Sequence, residues 1–66
     1  MNAGRSLRVA LAKKDMTQKD LAEKLKCSTA YISRLSNSQK IGIGTLQILA
    51  ENFGMQLSEF LALGED

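Results

Sequence analysis

The sequence predicts an all-α fold, a compact set of five short helices in one domain spanning 1–66. Two observations predict it. Apolar residues recur every three or four positions along nearly the whole chain, and no stretch keeps the strict alternation of a half-buried strand. Proline is absent, while Asn2, Thr17 and Ser28 each stand just ahead of an apolar stripe, where a helix N-cap belongs.

The first helix is expected over about residues 3–14. Asn2 is its candidate cap, Leu7, Ala10 and Leu11 form its stripe, and Lys13 and Lys14 put cations in the last turn, where they suit the helix dipole. The second, about 17–25, opens on Thr17-Gln18-Lys19-Asp20, a capping box with Asp20 in place of the usual Glu. Leu21, Ala22 and Leu25 make its buried stripe, and Met16 is placed to staple onto Leu21. The third, about 28–36, opens at Ser28 and turns Ile32 and Leu35 inward, with Tyr31 at their edge. Only Lys26 and Cys27 separate the second helix from the third, and so short a join forces a sharp crossing. Residues 36–44 form a polar, glycine-containing loop. The fourth helix, about 44–52, has Ile43, Leu46, Leu49, Ala50 and Phe53 at core spacing, with Gly54 where a left-handed cap is wanted. The fifth, about 57–63, carries Leu57, Phe60, Leu61 and Leu63 and ends at Gly64.

A chain this short buries only about 60% of the surface its unfolded form exposes, so it has room for one modest core. No apolar run approaches the ~18 residues of a membrane helix. The N-terminus lacks the unbroken apolar core of a signal peptide, so a cytoplasmic protein without a membrane partner is expected. Cys27 is the only cysteine and histidine is absent. That subtraction excludes an internal disulfide, structural zinc sites, His-based triads and Cys/His dyads. Neither enzyme activity nor a cofactor, metal or small-molecule ligand is expected. Cys27 is read as a small core hydrophobe. Met1 is read as the start residue, and Met16 and Met55 as packing.

The net charge of +2 conceals an asymmetry. All nine basic residues lie in the first forty positions against three acids (Asp15, Asp20 and Glu23), a balance of +6. The last 26 residues carry Glu51, Glu59, Glu65 and Asp66 and no base, a balance of −4. One part of the fold should attract a polyanion and the other repel it. Aromatic residues make up only 5% of the chain, which disfavours a platform for stacking single-stranded bases.

The segment from Gln18 to Leu35 is the most specific signal. Ala22 lets two helices approach at their crossing, and Thr17 and Ser28 fix where each begins. The run Met16-Thr17-Gln18-Lys19-Asp20-Leu21-Ala22-Glu23-Lys24-Leu25 resembles the helix-turn-helix of the lambda-repressor and Cro (XRE) family. The similarity continues through Leu46-Gln47-Ile48-Leu49-Ala50-Glu51-Asn52-Phe53-Gly54-Met55 and covers about residues 5–63.

The resemblance implies a lambda-repressor-like fold that binds double-stranded DNA with its third helix in the major groove. Thr29, Ala30, Ser33 and Arg34 match the family's base-reading positions, and Arg34 could fork onto guanine O6 and N7. Thr17, Gln18 and Lys19 match its phosphate clamp at a helix N-terminus, with Ser28 at the start of the next helix. Asn37 and Lys40 match positions holding the opposite backbone strand. Tyr31 either gives its hydroxyl to the DNA backbone or simply packs. Family members bind near-palindromic operators as two-fold dimers, and Leu57, Phe60, Leu61 and Leu63 are the candidate interface, with closure of the chain's own core as the alternative. The expected role is a transcriptional regulator of bacterial or phage origin, a repressor or mobile-element control protein, able to regulate itself. With the chain ending at Asp66, no ligand-binding or self-cleaving domain is expected. The alternative is an antitoxin-type interaction module with a toxin as partner, since one fold serves both tasks.

Three departures from the family pattern carry structural expectations. Lys26 replaces the turn glycine and must take a left-handed or strained backbone. Leu11 and Ser36 replace an arginine–glutamate pair, which predicts an apolar contact there. Ser38 replaces a glycine, so Asn37 is expected to take the left-handed turn instead.

Overall fold

The structure of the protein, a computed structural model, describes residues 2–65; Met1 and Asp66, the two ends of the expected domain, lie outside them. Its five helices are α1 (Ala3–Lys13), α2 (Gln18–Leu25), α3 (Thr29–Ser36), α4 (Ile43–Asn52) and α5 (Leu57–Ala62). No strand occurs among the described residues.

Local hydrogen bonds set the first three starts. Asn2 Oδ1 accepts from the Arg5 N–H at 3.0 Å. At α2 the capping box is complete: the Asp20 N–H donates to Thr17 Oγ1 and the Thr17 N–H donates to Asp20 Oδ2, both at 3.0 Å. Ser28 Oγ accepts from the Tyr31 N–H at 3.1 Å. By contrast, α4 opens on Gly42 with no side-chain cap.

Three helices stop in the same way. A residue in the left-handed region follows the last turn, and the next N–H donates back five residues at 2.9 Å: Met16 to Leu11, Cys27 to Ala22, Met55 to Ala50. The left-handed residues are Asp15 (φ 53°), Lys26 (φ 57°) and Gly54 (φ 69°). Lys26 therefore does adopt the backbone that relatives give to glycine. Asn37 does not: its φ is −100°, against expectation. The end of α3 is closed by side chains instead, with Asn37 Nδ2 donating to the Ser33 carbonyl at 3.1 Å and Ser38 Oγ to the Arg34 carbonyl at 2.9 Å.

The core gathers Leu7, Ala10 and Leu11 of α1, Leu21 and Ala22 of α2, Ile32 of α3, Leu46, Leu49 and Ala50 of α4, then Phe53 and Phe60. The two phenylalanine rings stack with centroids 6.0 Å apart. Helix α1 lies against both α3 and α5, α2 against α3, and α4 against α5. Met16, Leu25, Cys27 and Leu35 are half-buried around this centre. Ile43 departs from the expected core: it is 60% exposed. It is the first residue of α4, where the helix has not yet reached the centre, and Ile41, two positions earlier, packs inward instead.

Two polar ties hold α1 in place. Its opening N–H groups, which have no partner within the helix, donate out of it: Ala3 to the Gln39 carbonyl at 3.1 Å and Gly4 to the Ser38 carbonyl at 2.8 Å. That approach requires glycine, because a Cβ at residue 4 would collide with the Ser36 and Ser38 carbonyl oxygens. Ser6 is fully buried and its hydroxyl donates to the Leu61 carbonyl at 3.3 Å, joining α1 to α5. The loop after α3 is thus pinned by α1, which fixes the α3 end relative to the rest of the fold.

Candidate nucleic-acid interface

Helix α3 has two unlike faces. Ile32 is fully buried and Ser36 is 2% exposed, so both point into the fold. Thr29, Ala30 and Arg34 are exposed and Ser33 is half-buried. The cap at Ser28 fixes where the helix begins, and the buried Ile32 fixes its rotation. Together they put the sequence-expected base-reading residues on the outside. Thr29 and Ala30, small and in the first turn, leave room for a close approach. Arg34 reaches back along the same face, its Cζ 5.7 Å from the centroid of the Tyr31 ring. Ser28, Ala30, Tyr31 and Arg34 line one surface depression of about 290 Å³.

The structure brings the start of α2 to the end of α3. Gln18 Nε2 donates to Ser36 Oγ at 3.2 Å, and Ser36 Oγ donates to the Ser33 carbonyl at 2.7 Å. The expected apolar contact at Ser36 is therefore corrected. Leu11 does join the apolar core at 6% exposure, but Ser36 sits in a hydrogen-bonded link between two helices. A hydroxyl both donates and accepts, so one serine satisfies itself in a buried place without an ionic partner. An amide nitrogen carries two hydrogens, so the bond to Ser36 leaves Gln18 one to offer outward.

Of the other sequence-expected backbone residues, Thr17, Lys19, Ser28, Asn37 and Lys40 are exposed and Tyr31 is half-buried. Asn37 follows Ser36 directly, so it shares an end of α3 with Gln18. Lys40 stands in the loop one position past Gln39, whose carbonyl α1 holds. The Asp20 carboxyl lies in the first turn of α2 and is held below its ordinary value, chiefly because the Thr17 backbone N–H donates to it. Lys24 is tied within the fold. Its ammonium donates to the Asn52 carbonyl at 2.9 Å and serves the end of α4, where a positive charge suits the helix dipole.

The fifth helix gives less surface than its composition suggests. Phe60 is fully buried in the chain's own core and has no area left for a second copy. Leu57, Leu61 and Leu63 are half-buried against that core. Among the described residues, the exposed large apolar ones belong to α4: Ile43, and Ile48 at 52%. Ile48 borders a groove with Leu25, Cys27, Tyr31, Leu35 and Leu49.

Sequence reasoning missed three of these contacts, two of which periodicity could not show. The Gln18–Ser36 bond and the Lys24–Asn52 bond join positions 18 and 28 residues apart. The Tyr31–Arg34 pair is three apart, so its helical spacing was the one available signal.

No helix among the described residues is long and apolar enough to cross a membrane. A family model for the Cro/C1-type HTH DNA-binding domain matches residues 6–66. Comparison with curated proteins gave no match.

Proposed function

Because the chain belongs to the Cro/C1-type family of helix-turn-helix DNA-binding domains, we propose that it is a sequence-specific transcriptional regulator, a repressor that reads a near-palindromic operator as a homodimer. The exposed outer face of α3, backed by the fully buried Ile32, carries this reading. Thr29, Ala30, Ser33 and Arg34 face base edges in the major groove. Arg34 forks onto guanine O6 and N7, a pairing worth about 1–3 kcal/mol of discrimination. Thr17, Gln18, Lys19, Ser28, Asn37 and Lys40 contact phosphate, which sets orientation and carries no sequence information.

One α3 spans only a few base pairs, so two copies on half-sites about one helical turn apart supply the specificity. Leu57, Leu61 and Leu63 are the surface of α5 left for the two-fold contact. Selection from a random duplex library, followed by titration of the selected duplex, tests the whole reading. Wild type should select a two-fold symmetric site and bind it with two chains per duplex. Arg34→Ala should lose preference for that site while its circular dichroism melting curve stays in place. Unchanged preference in Arg34→Ala overturns the placement of α3.

A further inference from the structure

The geometry points to Tyr31 as the positioning residue for Arg34: its ring, and not its hydroxyl, sets how strongly the chain demands guanine at the base Arg34 reads. This rests on the proposal that α3 reads the major groove. Two observations carry it. The Arg34 Cζ lies 5.7 Å from the Tyr31 ring centroid, within the ~6 Å reach of a cation–π contact. The ring is itself held, since Tyr31 is half-buried, packed on the core, and borders the groove that Leu25, Leu35 and Leu49 line.

Helix geometry explains why the two meet. Residues three apart are neighbours on one face, and long helical side chains lean toward the N-terminus. Arg34 therefore folds back over the turn that holds Tyr31, toward the end of α3 that leads into the groove. An arginine side chain loses many rotamers when it must hold a fork on one base. A ring anchored in the fold removes part of that freedom before DNA arrives. A guanidinium held over the ring has five N–H donors, and those turned away from the ring remain for the base. Tyr31 thus acts through Arg34, which separates this role from a hydroxyl contact to phosphate.

The test uses the full chain and the selected duplex, with a second duplex in which the guanine read by Arg34 is 7-deazaguanine, which lacks N7. The readout is the ratio of the two affinities. Tyr31→Leu keeps apolar bulk on the core and should lower that ratio about two- to fivefold, the range of an exposed cation–π contact. Tyr31→Phe should restore it. In an Arg34→Ala background, Tyr31→Leu should change the ratio no further. Melting curves accompany each variant, and Tyr31→Met replaces Tyr31→Leu if the latter unfolds.

A ratio left unchanged by Tyr31→Leu, as a hydroxyl contact to phosphate would leave it, or one lowered equally by Tyr31→Phe and Tyr31→Leu, overturns the proposal. A further loss from Tyr31→Leu in the Arg34→Ala background overturns it too, because Tyr31 would then act alone. In each case Arg34 still reads guanine and the proposed function stands. If Arg34→Ala itself leaves the ratio unchanged, the parent reading of α3 falls and this inference falls with it.

Discussion

Gly4 and Gly44 are each the second residue of a helix, yet their surroundings have nothing in common. A side chain at Gly4 would strike the carbonyls of Ser36 and Ser38, whereas the space around Gly44 is open. The difference extends to the regions they belong to. Helices α1, α2 and α3 each start on a side-chain cap, and α1 donates two N–H groups into the loop that follows α3. Helix α4 starts uncapped on Gly42, and α5 starts on a capping box between Gln56 and Glu59, in which the Glu59 carboxylate accepts from the Gln56 N–H at a long 3.3 Å. Side-chain caps are concentrated at the front of the molecule (α1 to α3), while the back (α4 and α5) leans more on apolar burial and is tied to the front by the Ser6–Leu61 and Lys24–Asn52 bonds. A surface that must match the spacing of bases and phosphates needs its helices fixed in angle and rotation, which hydrogen bonds do and nondirectional burial does less well.

The largest expected effect lies in the back. Phe60 is fully buried and stacks on Phe53. Phe60→Ala should cost about 3–5 kcal/mol. A domain of this length holds roughly 3–10 kcal/mol in all, so the variant should lose from about a third to all of its stability. Urea denaturation followed by circular dichroism measures this. A loss below about 1 kcal/mol would mean that α5 does not close the core and that the division between the two regions is misplaced.

The two glycines sharpen the comparison directly. Gly4→Ala forces a methyl against backbone carbonyls that cannot rotate away, and overpacking of that kind costs about 1–3 kcal/mol. Gly44→Ala adds a methyl in open space within a helix and should stabilise the fold by about 0.5–1 kcal/mol. Opposite signs in chemical denaturation are the expected outcome. A Gly4→Ala variant as stable as wild type would show that α1 and the loop after α3 can slide apart freely.

How much of this was legible depends on the range of each interaction. The caps at Asn2, Thr17 and Ser28 are bonds across three residues, so the sequence states both partners in one glance. The starts of the first three helices followed from them to within a residue, and apolar spacing marked the last two. Lys26 was expected to take a left-handed or strained backbone because it stands where the resembled family keeps its turn glycine, and its φ of 57° bears this out. Ser6, Gly4 and Ser36 were not legible as buried contacts, since each is explained by a group more than a dozen residues away. Ile43 misled for a related reason: helical spacing says which residues share a face, not how far along the helix that face stays covered. Asn37 was given the left-handed turn by analogy with a glycine at the next position. Bonds to the Ser33 and Arg34 carbonyls closed the helix without it.

The capping box of α2 predicts a smaller effect, and one that depends on pH. Thr17→Ala removes the acceptor for the Asp20 N–H and should cost about 1 kcal/mol at neutral pH. Because the folded state holds the Asp20 carboxyl below its ordinary value of 3.8, its contribution is complete above the carboxylate range and fades as pH falls through the folded value. Asp20→Asn should therefore flatten this part of the acid limb of a melting-temperature profile. A profile identical to wild type would mean the Thr17 N–H bond to Asp20 does not form in solution.

The smallest expected effect compares the stops of α2 and α4, which share one hydrogen-bond pattern but use Lys26 and Gly54. Holding a residue with a Cβ in the left-handed region costs about 1–2 kcal/mol. Glycine escapes that cost but surrenders roughly 0.5–1 kcal/mol more backbone entropy on folding. The two nearly cancel, so Lys26→Gly should stabilise the protein by about 0.5 kcal/mol, read as a small rise in the urea midpoint with an unchanged slope. Lys26 is also one of the cations in the basic front of the chain, so the same variant weakens any field it adds toward DNA. If affinity falls while stability rises, the left-handed lysine is a cost carried by the proposed DNA-facing region for its charge. If both rise, the lysine adds nothing at this turn, and the contrast with Gly54 is one of backbone strain alone.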